Sequence, residues 1–393
     1  VREFYFRGTI PASKSLMNRA LIVQSYDPRL KLSGDSSCDD VVHLRKSLAR
    51  LESSARVFDC GEGGTTLRFL AFRVSRKPGT YLLKGSARLL KRPQDEVQNI
   101  LGQLGVEVRF EKSGLRILSR GWKNPARPVV TNARESSQFL SALVLNSWNL
   151  DFDLKIKVQG KITSESYFSM TLKLLKELGL RYRRQGSFLT VPAGQKVKVT
   201  KKYQVESDLS SLFSVASFAA VSGKAQFLDF PGNSLQPDAA FVSIFKKMGI
   251  ACSRRRGSLG ISSPQKLKAV QVSLRNSPDL FPVLAAVCTF AEGRSVLYGA
   301  PQLVLKESNR IEKTAELLRK CGVQCRTRKD GLEIQGRGLG CGGPAFVYDP
   351  DQDHRLAMAA GLLKYFGQNI RIKHPKVVRK SFPEFWSYVG VRA

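Results

Sequence analysis

The chain has 393 residues, 64 Lys and Arg against 32 Asp and Glu, and a formal charge of +32. That length exceeds one ordinary core, so two domains are expected. A hydrophobic content of 42% with 9% aromatics excludes a disordered or collagen-like chain, and the charge points to an anionic partner without naming it.

Residues 1–8 have no apolar h-region, so no secretory signal is expected. Residues 10–19 read Ile-Pro-Ala-Ser-Lys-Ser-Leu-Met-Asn-Arg. Ser13 or Ser15 can cap a helix running through Ala20, Leu21 and Ile22. Lys14 at its start and Arg19 one turn on make an anion site, although an ordinary capped helix fits as well. Residues 59–69 place Gly61, Gly63 and Gly64 before a helix start, where backbone N–H groups can approach an anion. Residues 85–93 put Arg88, Lys91 and Arg92 ahead of a helix beginning near Pro93. Residues 134–139 offer Ser136, Ser137 and Gln138 at another helix start, and residues 161–167 are similarly polar, with Ser164 and Tyr167. A cap or a solvated loop fits each of these too.

In the C-terminal half, Asp279 precedes an apolar helix, as a dipole partner or as a base in a partly dry site. Residues 283–291 are apolar but too short to span a membrane. Lys306 and Arg310 share a face if the segment is helical, with Glu307 one turn before Arg310. Asp353-His354-Arg355 precedes another apolar helix, and Arg379-Lys380-Ser381-Phe382-Pro383 closes the series. Cys38, Cys60, Cys252, Cys288, Cys321, Cys325 and Cys341 form no regular framework, which fits a reducing compartment. Cys321 and Cys325 have no second ligand pair, so no metal is expected. No nucleophile motif is present. Scattered cations without an RNA-binding signature give no specific nucleic-acid partner.

An apolar-apolar-x-x-apolar-Gly-apolar pattern recurs around Gly105, Gly179, Gly249, Gly322 and Gly390. Each copy reads as the end of an amphipathic helix, a glycine cap and entry into a strand. Residues 48–53 read as a worn sixth copy with Glu52 in the glycine's place. Six units of about 65 residues give an α+β protein of α/β-type repeats, three per domain.

Taken together and in order, these segments resemble the 5-enolpyruvylshikimate-3-phosphate synthase family of enolpyruvyl transferases over essentially the whole chain. The resemblance implies two domains, each of three βαβαββ units with pseudo-threefold symmetry, in an inverse α/β-barrel arrangement. Residues 1–11 with 206–393 would form the first domain, residues 12–205 the second, with the active site in the cleft between them. It implies transfer of the enolpyruvyl group of phosphoenolpyruvate to the 5-hydroxyl of shikimate 3-phosphate through a tetrahedral intermediate. Lys14, Gly64, Arg92, Gln138, Arg310, Arg355 and Lys380 would bind phosphoenolpyruvate. Lys14, Ser15, Arg19, Ser136, Ser137, Gln138, Ser164, Tyr167, Asp279, Gln302 and Lys306 would bind shikimate 3-phosphate. Asp279, Glu307 and Lys14 would move the protons. A cytoplasmic monomer without cofactor or membrane contact is implied. Ala12, Glu62, Phe69, Ser207, Gln302 and Val304 depart from the family's usual residues, which puts the Gln302 contact in question. Two other readings are a transferase acting on UDP-N-acetylglucosamine and a silent anion- or nucleic-acid-binding paralogue. The absence of cysteine from residues 85–94 weighs against the first, and the presence of Lys14, Asp279 and Glu307 against the second.

Overall fold

The computed structural model describes residues 2–198, 202–338 and 342–392; Val1 and Cys341 lie outside them. The chain divides into two compact units, Val1–Pro11 with Glu206–Ala393, and Ala12–Val205.

Four four-stranded sheets share one connectivity. In each, a parallel pair is followed by a hairpin whose second strand joins the pair and whose first strand takes the outer edge. In the first unit these are Phe4–Gly8, Gly223–Phe227, Ser258–Ser262 and Ala251–Arg255, then Gln271–Ser273, Glu292–Tyr298, Gly331–Arg337 and Cys325–Arg328. In the second they are Val57–Asp59, Gly79–Lys84, Gly114–Ser119 and Glu107–Glu111, then Val129–Asn132, Leu154–Gln159, Phe188–Val191 and Arg183–Gln185. Each unit adds one two-stranded parallel sheet without the hairpin: Phe346–Tyr348 with Ile370–Ile372, and Leu32–Ser33 with Tyr203–Gln204. Strand alternation sets the faces. Leu154 and Ile156 are buried while Lys155 and Lys157 are exposed.

Each unit is centred on three mutually packed helices that are apolar nearly all round. In the first unit they are Leu209–Val221, Phe281–Cys288 and His354–Tyr365; every residue of the first two is buried. In the second they are Lys14–Gln24, Gly64–Val74 and Ser137–Leu145. Leu284→Ala, at a fully buried position, would cost about 2–5 kcal/mol.

Amphipathic helices cover these centres, and their ends are built alike. Gly105, Gly179, Gly249, Gly322 and Gly390 all have positive φ, between 62° and 84°. In each, the N–H after the glycine reaches back five residues, as Val106 to Leu101 O at 3.0 Å and Leu180 to Leu175 O at 2.8 Å. This bond satisfies a carbonyl that the helix end leaves open, and it requires the left-handed residue. The helix Asp39–Glu52 ends with the same bond, Ala55 N to Arg50 O at 3.1 Å, with Ser54 at φ 67° in the glycine's seat. The worn copy is therefore aligned on Ser54, not Glu52. Its apolar pattern is missing there, so sequence spacing alone misplaced it. The strand expected from Leu180 begins only at Arg183, because Leu180 turns inward and is buried.

Candidate active site

Most of the candidate residues lie in or beside the first turn of a helix, where N–H groups without helical partners favour anions. In the second unit, Lys14 opens the helix Lys14–Gln24, capped by Ser13 Oγ, which accepts from Leu16 N at 3.4 Å. A cation at that end opposes the helix dipole. Asp40, in the first turn of Asp39–Glu52, offsets this by accepting from Lys14 Nζ at 3.0 Å. A Cβ on Gly63 would lie 2.9 Å from Asp40 Oδ1, so glycine lets the acid approach.

Arg19 is buried. Its Nε donates to Thr171 Oγ1 at 2.7 Å, and its terminal nitrogens to Ser15 O at 2.7 Å and Tyr167 O at 3.3 Å. None of these partners is a carboxylate. Burial pulls its pKa down to about 10, with Tyr167 opposing weakly.

Gly64 opens the helix Gly64–Val74, and a Cβ there would meet Arg92 Nη1 at 2.5 Å. The guanidinium therefore lies against the Gly64 backbone. The expectation for residues 85–93 needs correction. Arg88 and Lys91 belong to a short helix, Ala87–Lys91; Arg92 follows it, and the next helix starts at Asp95. Pro93 sits between, and its carbonyl accepts from Arg68 Nη2 at 2.8 Å.

Arg68 is the organiser that the sequence reading left without a role. Buried, it also donates to Gln94 Oε1 at 3.1 Å, Ser136 Oγ at 3.3 Å and Gln138 Oε1 at 2.9 Å. It thus joins the Arg92 segment to the start of Ser137–Leu145. Ser136 caps that helix by accepting from Gln138 N at 3.2 Å, and Ser137 is buried in its first turn. Ser164 precedes the helix Glu165–Glu177, which carries Tyr167, at φ 54°. A non-glycine residue there costs about 1–3 kcal/mol, a strain that is common at functional sites.

The first unit holds a denser ionic cluster around Arg310, which is 1% exposed. Its Nη1 donates to Asp279 Oδ1 at 2.8 Å, its Nη2 to Glu307 Oε2 at 2.9 Å, and its Nε to Asp353 Oδ2 at 2.7 Å. Arg355 Nη2 donates to Asp279 Oδ2 at 3.0 Å and to Ser210 Oγ at 3.1 Å. Lys380 Nζ donates to Glu307 Oε1 at 3.0 Å, and Lys306 Nζ lies 3.8 Å from Asp279. Burial opposes the charge on Asp279, yet Arg355, Lys306 and Arg310 overcome it and hold the carboxyl well below its ordinary range. Burial likewise opposes the charge on Arg310, and Asp353, Glu307 and Asp279 overcome it, raising its pKa.

One local expectation changes, and that for Asp279 holds. Lys306 is not on a helix with Arg310. It follows a 3-10 turn, Pro301–Leu305, that carries half-buried Gln302, and the helix Arg310–Lys320 starts later, capped by Asn309 Oδ1 accepting from Glu312 N at 3.2 Å. Glu307 still pairs with Arg310 because the turn brings it back. Asp279 lies in a 3-10 turn, Pro278–Leu280, just ahead of the apolar helix.

Asp353 also lacked a role in sequence. It is 0% exposed, binds Arg310 through both oxygens, accepts from Ser308 Oγ at 3.3 Å and caps its own helix through Arg355 N at 3.0 Å. One carboxylate thus fixes one arginine directly and the start of the helix bearing the other. Among the described residues, no group of three or more His, Cys, Asp or Glu is placed to hold a metal, and no helix is long and apolar enough to cross a membrane.

The fold is that of the enolpyruvyl transferases. An EPSP synthase from Acinetobacter baumannii superposes with a TM-score of 0.77 at 21% identity, covering 99% of this chain and 95% of that one. The enolpyruvyl transferase NikO from Streptomyces tendae gives 0.67 at 11% identity, covering 98% and 94%. The family model described as EPSP synthase (3-phosphoshikimate 1-carboxyvinyltransferase) matches residues 30–389. A 3-phosphoshikimate 1-carboxyvinyltransferase from Methanopyrus kandleri is 32% identical over 97% of this chain and 94% of its own. One from Archaeoglobus fulgidus is 29% identical over 98% and 96%. The chain belongs to the EPSP synthase family, and it is a transferase of the shikimate pathway.

Proposed function

We propose that Asp279 and Glu307, tied to one guanidinium, carry the proton transfers by which the enolpyruvyl group of phosphoenolpyruvate passes to the 5-hydroxyl of shikimate 3-phosphate. The observation that carries this reading is Arg310, whose two terminal nitrogens reach Asp279 and Glu307 at 2.8 and 2.9 Å. The attacking oxygen bonds to C2 of phosphoenolpyruvate as its proton passes to Asp279. A proton from Glu307 goes to C3, giving a tetrahedral intermediate, with Lys14 at the bridging oxygen. Loss of a methyl proton and of phosphate restores the double bond in the product.

Electrostatics make the sequence of events intelligible. While Arg310, Arg355 and Lys306 lean on Asp279, it is a poor base. An incoming phosphate and carboxylate compete for Arg310, Arg355 and Lys380. As these cations turn to the substrate, Asp279 gains basicity, and Arg310 and Lys380 release their hold on the Glu307 carboxyl. Arg92 beside Gly64, with Lys14 and Gln138, would complete the phosphoenolpyruvate set. Ser15, Arg19, Ser136, Ser137, Gln138, Ser164, Tyr167 and Lys306 would hold shikimate 3-phosphate. Gln302 lies close in sequence to Lys306, and its half-buried turn is compatible with a contact.

The wider architecture we infer is two domains with the bounds of the compact units, each of three related units about a pseudo-threefold axis in an inverse barrel. The common connectivity of the four large sheets and the six alike helix ends support it. A cytoplasmic location fits the six free cysteines among the described residues, and the monomeric state is inferred from the family resemblance alone. The test is phosphate release from phosphoenolpyruvate by purified protein with and without shikimate 3-phosphate. Release that requires shikimate 3-phosphate supports the reading. Release with UDP-N-acetylglucosamine instead, or none from folded protein, overturns it.

A further inference from the structure

The transfer reaction leaves most of the +32 charge unused, and the outer faces of the sheets treat their cations differently. On the sheet containing Glu107–Glu111, Arg109 pairs with Glu107 at 2.5 Å and Arg116 with Glu111. On the sheet containing Gly331–Arg337, Glu333 lies 2.8 Å from Arg328 and 3.7 Å from Arg294. The sheet begun by Phe4–Gly8 has no such compensation. Its outward rows, read across the register, are Tyr5, Lys224 and Ser262, then Arg7, Gln226, Gly260 and Ser253, then Ser258 and Arg255. These residues line a trough of about 570 Å³. Arg7, Lys224 and Arg255 are exposed, and no ion pair or side-chain hydrogen bond engages them among the described residues. No carboxylate lines the trough. Its floor is small: a Cβ on Gly260 would come 2.4 Å from Ser253 Oγ. Tyr5 stands at the edge, 67% exposed, with its hydroxyl donating to Glu3.

We propose that this face binds single-stranded nucleic acid without regard to sequence. Three unpaired cations track phosphates, the exposed ring stacks a base, and the serine and glycine floor leaves room for the strand. The volume lies within the range of about 300–1,000 Å³ typical of ligand sites. On the sheet containing Leu154–Gln159, Lys157 lies opposite Phe188 with its ammonium 5.8 Å from the ring, and Lys155 and Arg183 flank Thr190 in the next row, so that face shares the charge and the ring. Its outward positions carry no serine or glycine floor, which makes it the matched control.

The experiment is fluorescence anisotropy of a labelled 20-nucleotide oligo(dT), with saturating shikimate 3-phosphate, and no phosphoenolpyruvate, present to occupy the transferase's phosphate-binding residues without turnover. Engaging three phosphates predicts a slope of log affinity against log salt of about −2. The triple variant Arg7→Glu, Lys224→Glu, Arg255→Glu should lose at least tenfold in affinity and flatten that slope, with transferase turnover unchanged. Tyr5→Ala should lose several-fold, and duplex DNA should bind more weakly than the single strand. The control triple Lys155→Glu, Lys157→Glu, Arg183→Glu should lose no more than about threefold, as a pure change in net charge would. Equal losses from both triples would mean diffuse attraction and overturn the proposal. So would an unaffected Tyr5→Ala variant or equal affinity for duplex.

Discussion

Arg310 and Arg19 are both buried, yet their surroundings are opposites. Arg310 touches three carboxylates, and its charge is stabilised above that of a free guanidinium. Arg19 donates to one hydroxyl and two carbonyls, and burial works against its charge. The first is neutralised from within, so an anion that binds there must displace an acid. The second keeps its charge at a cost that only an anion from outside relieves. One cluster is suited to releasing acids and bases for chemistry, the other to gripping a substrate.

The largest effect expected is on chemistry. Asp279→Ala should lower turnover by about 10³-fold while the protein stays folded, as read by kcat and circular dichroism. A variant with near-normal kcat would leave the Arg310 cluster no more chemical than the Arg19 region. Next, Arg19→Met should lower shikimate 3-phosphate affinity about 100-fold in calorimetry yet keep or raise the thermal midpoint, because the buried charge goes. A sharp fall in the midpoint would show that Arg19 is a structural hydrogen bonder instead. Asp353→Asn keeps a capping residue but withdraws charge from Arg310. It should raise KM for phosphoenolpyruvate about tenfold, leave the affinity for shikimate 3-phosphate alone, and cost about 1.5–3 kcal/mol in urea unfolding. Equal losses for both substrates would dissolve the contrast between the two regions. Gly64→Ala should push Arg92 aside and raise KM for phosphoenolpyruvate several-fold, with stability within about 0.5 kcal/mol, since only a side-chain tip must move.

The smallest effect is in pH. Asp279 has a depressed folded pKa, so its contribution to stability is present above the usual carboxylate value near pH 4 and lost as pH falls through the lower folded value. The stability difference between the wild type and Asp279→Asn should therefore shrink between about pH 5 and pH 2. A constant difference would mean that the ion pairs with Arg310 and Arg355 do not act on folding.

Helix ends were readable because Gly105, Gly179, Gly249, Gly322 and Gly390 combine a conformational demand with an apolar pattern that fixes the phase. Ser54 meets the same demand without the pattern, so it was misread. The cations were readable from type and order, but their partners were not. Asp353 meets Arg310 across 43 residues, and Arg68 meets Gln138 across 70. An aspartate ahead of an apolar helix looks like a cap, and Asp353 is one; nothing local announces the arginine it also holds. That Lys306 and Arg310 do not share a helix is also legible in the residues. Asn309, three residues before Glu312, is a strong cap and marks the true start.

The strand pair Leu32–Ser33 and Tyr203–Gln204 lies near the two ends of the second unit. Ala12 and Val205 sit together, since a Cβ on Gly34 would touch Ala12 Cβ at 3.0 Å and Val205 O at 2.9 Å. In the first unit Asp208 N donates to Pro11 O at 2.8 Å, so the two flanks of the inserted segment are neighbours as well. The second unit is thus a loop insertion whose entry and exit nearly coincide. Joining Pro11 to Glu206 through a short linker would excise it without pulling apart the pairing of Phe4–Gly8 with Gly223–Phe227. The path of the chain thus leaves and re-enters the first unit at one place, where a single short linker stands in for the whole second unit.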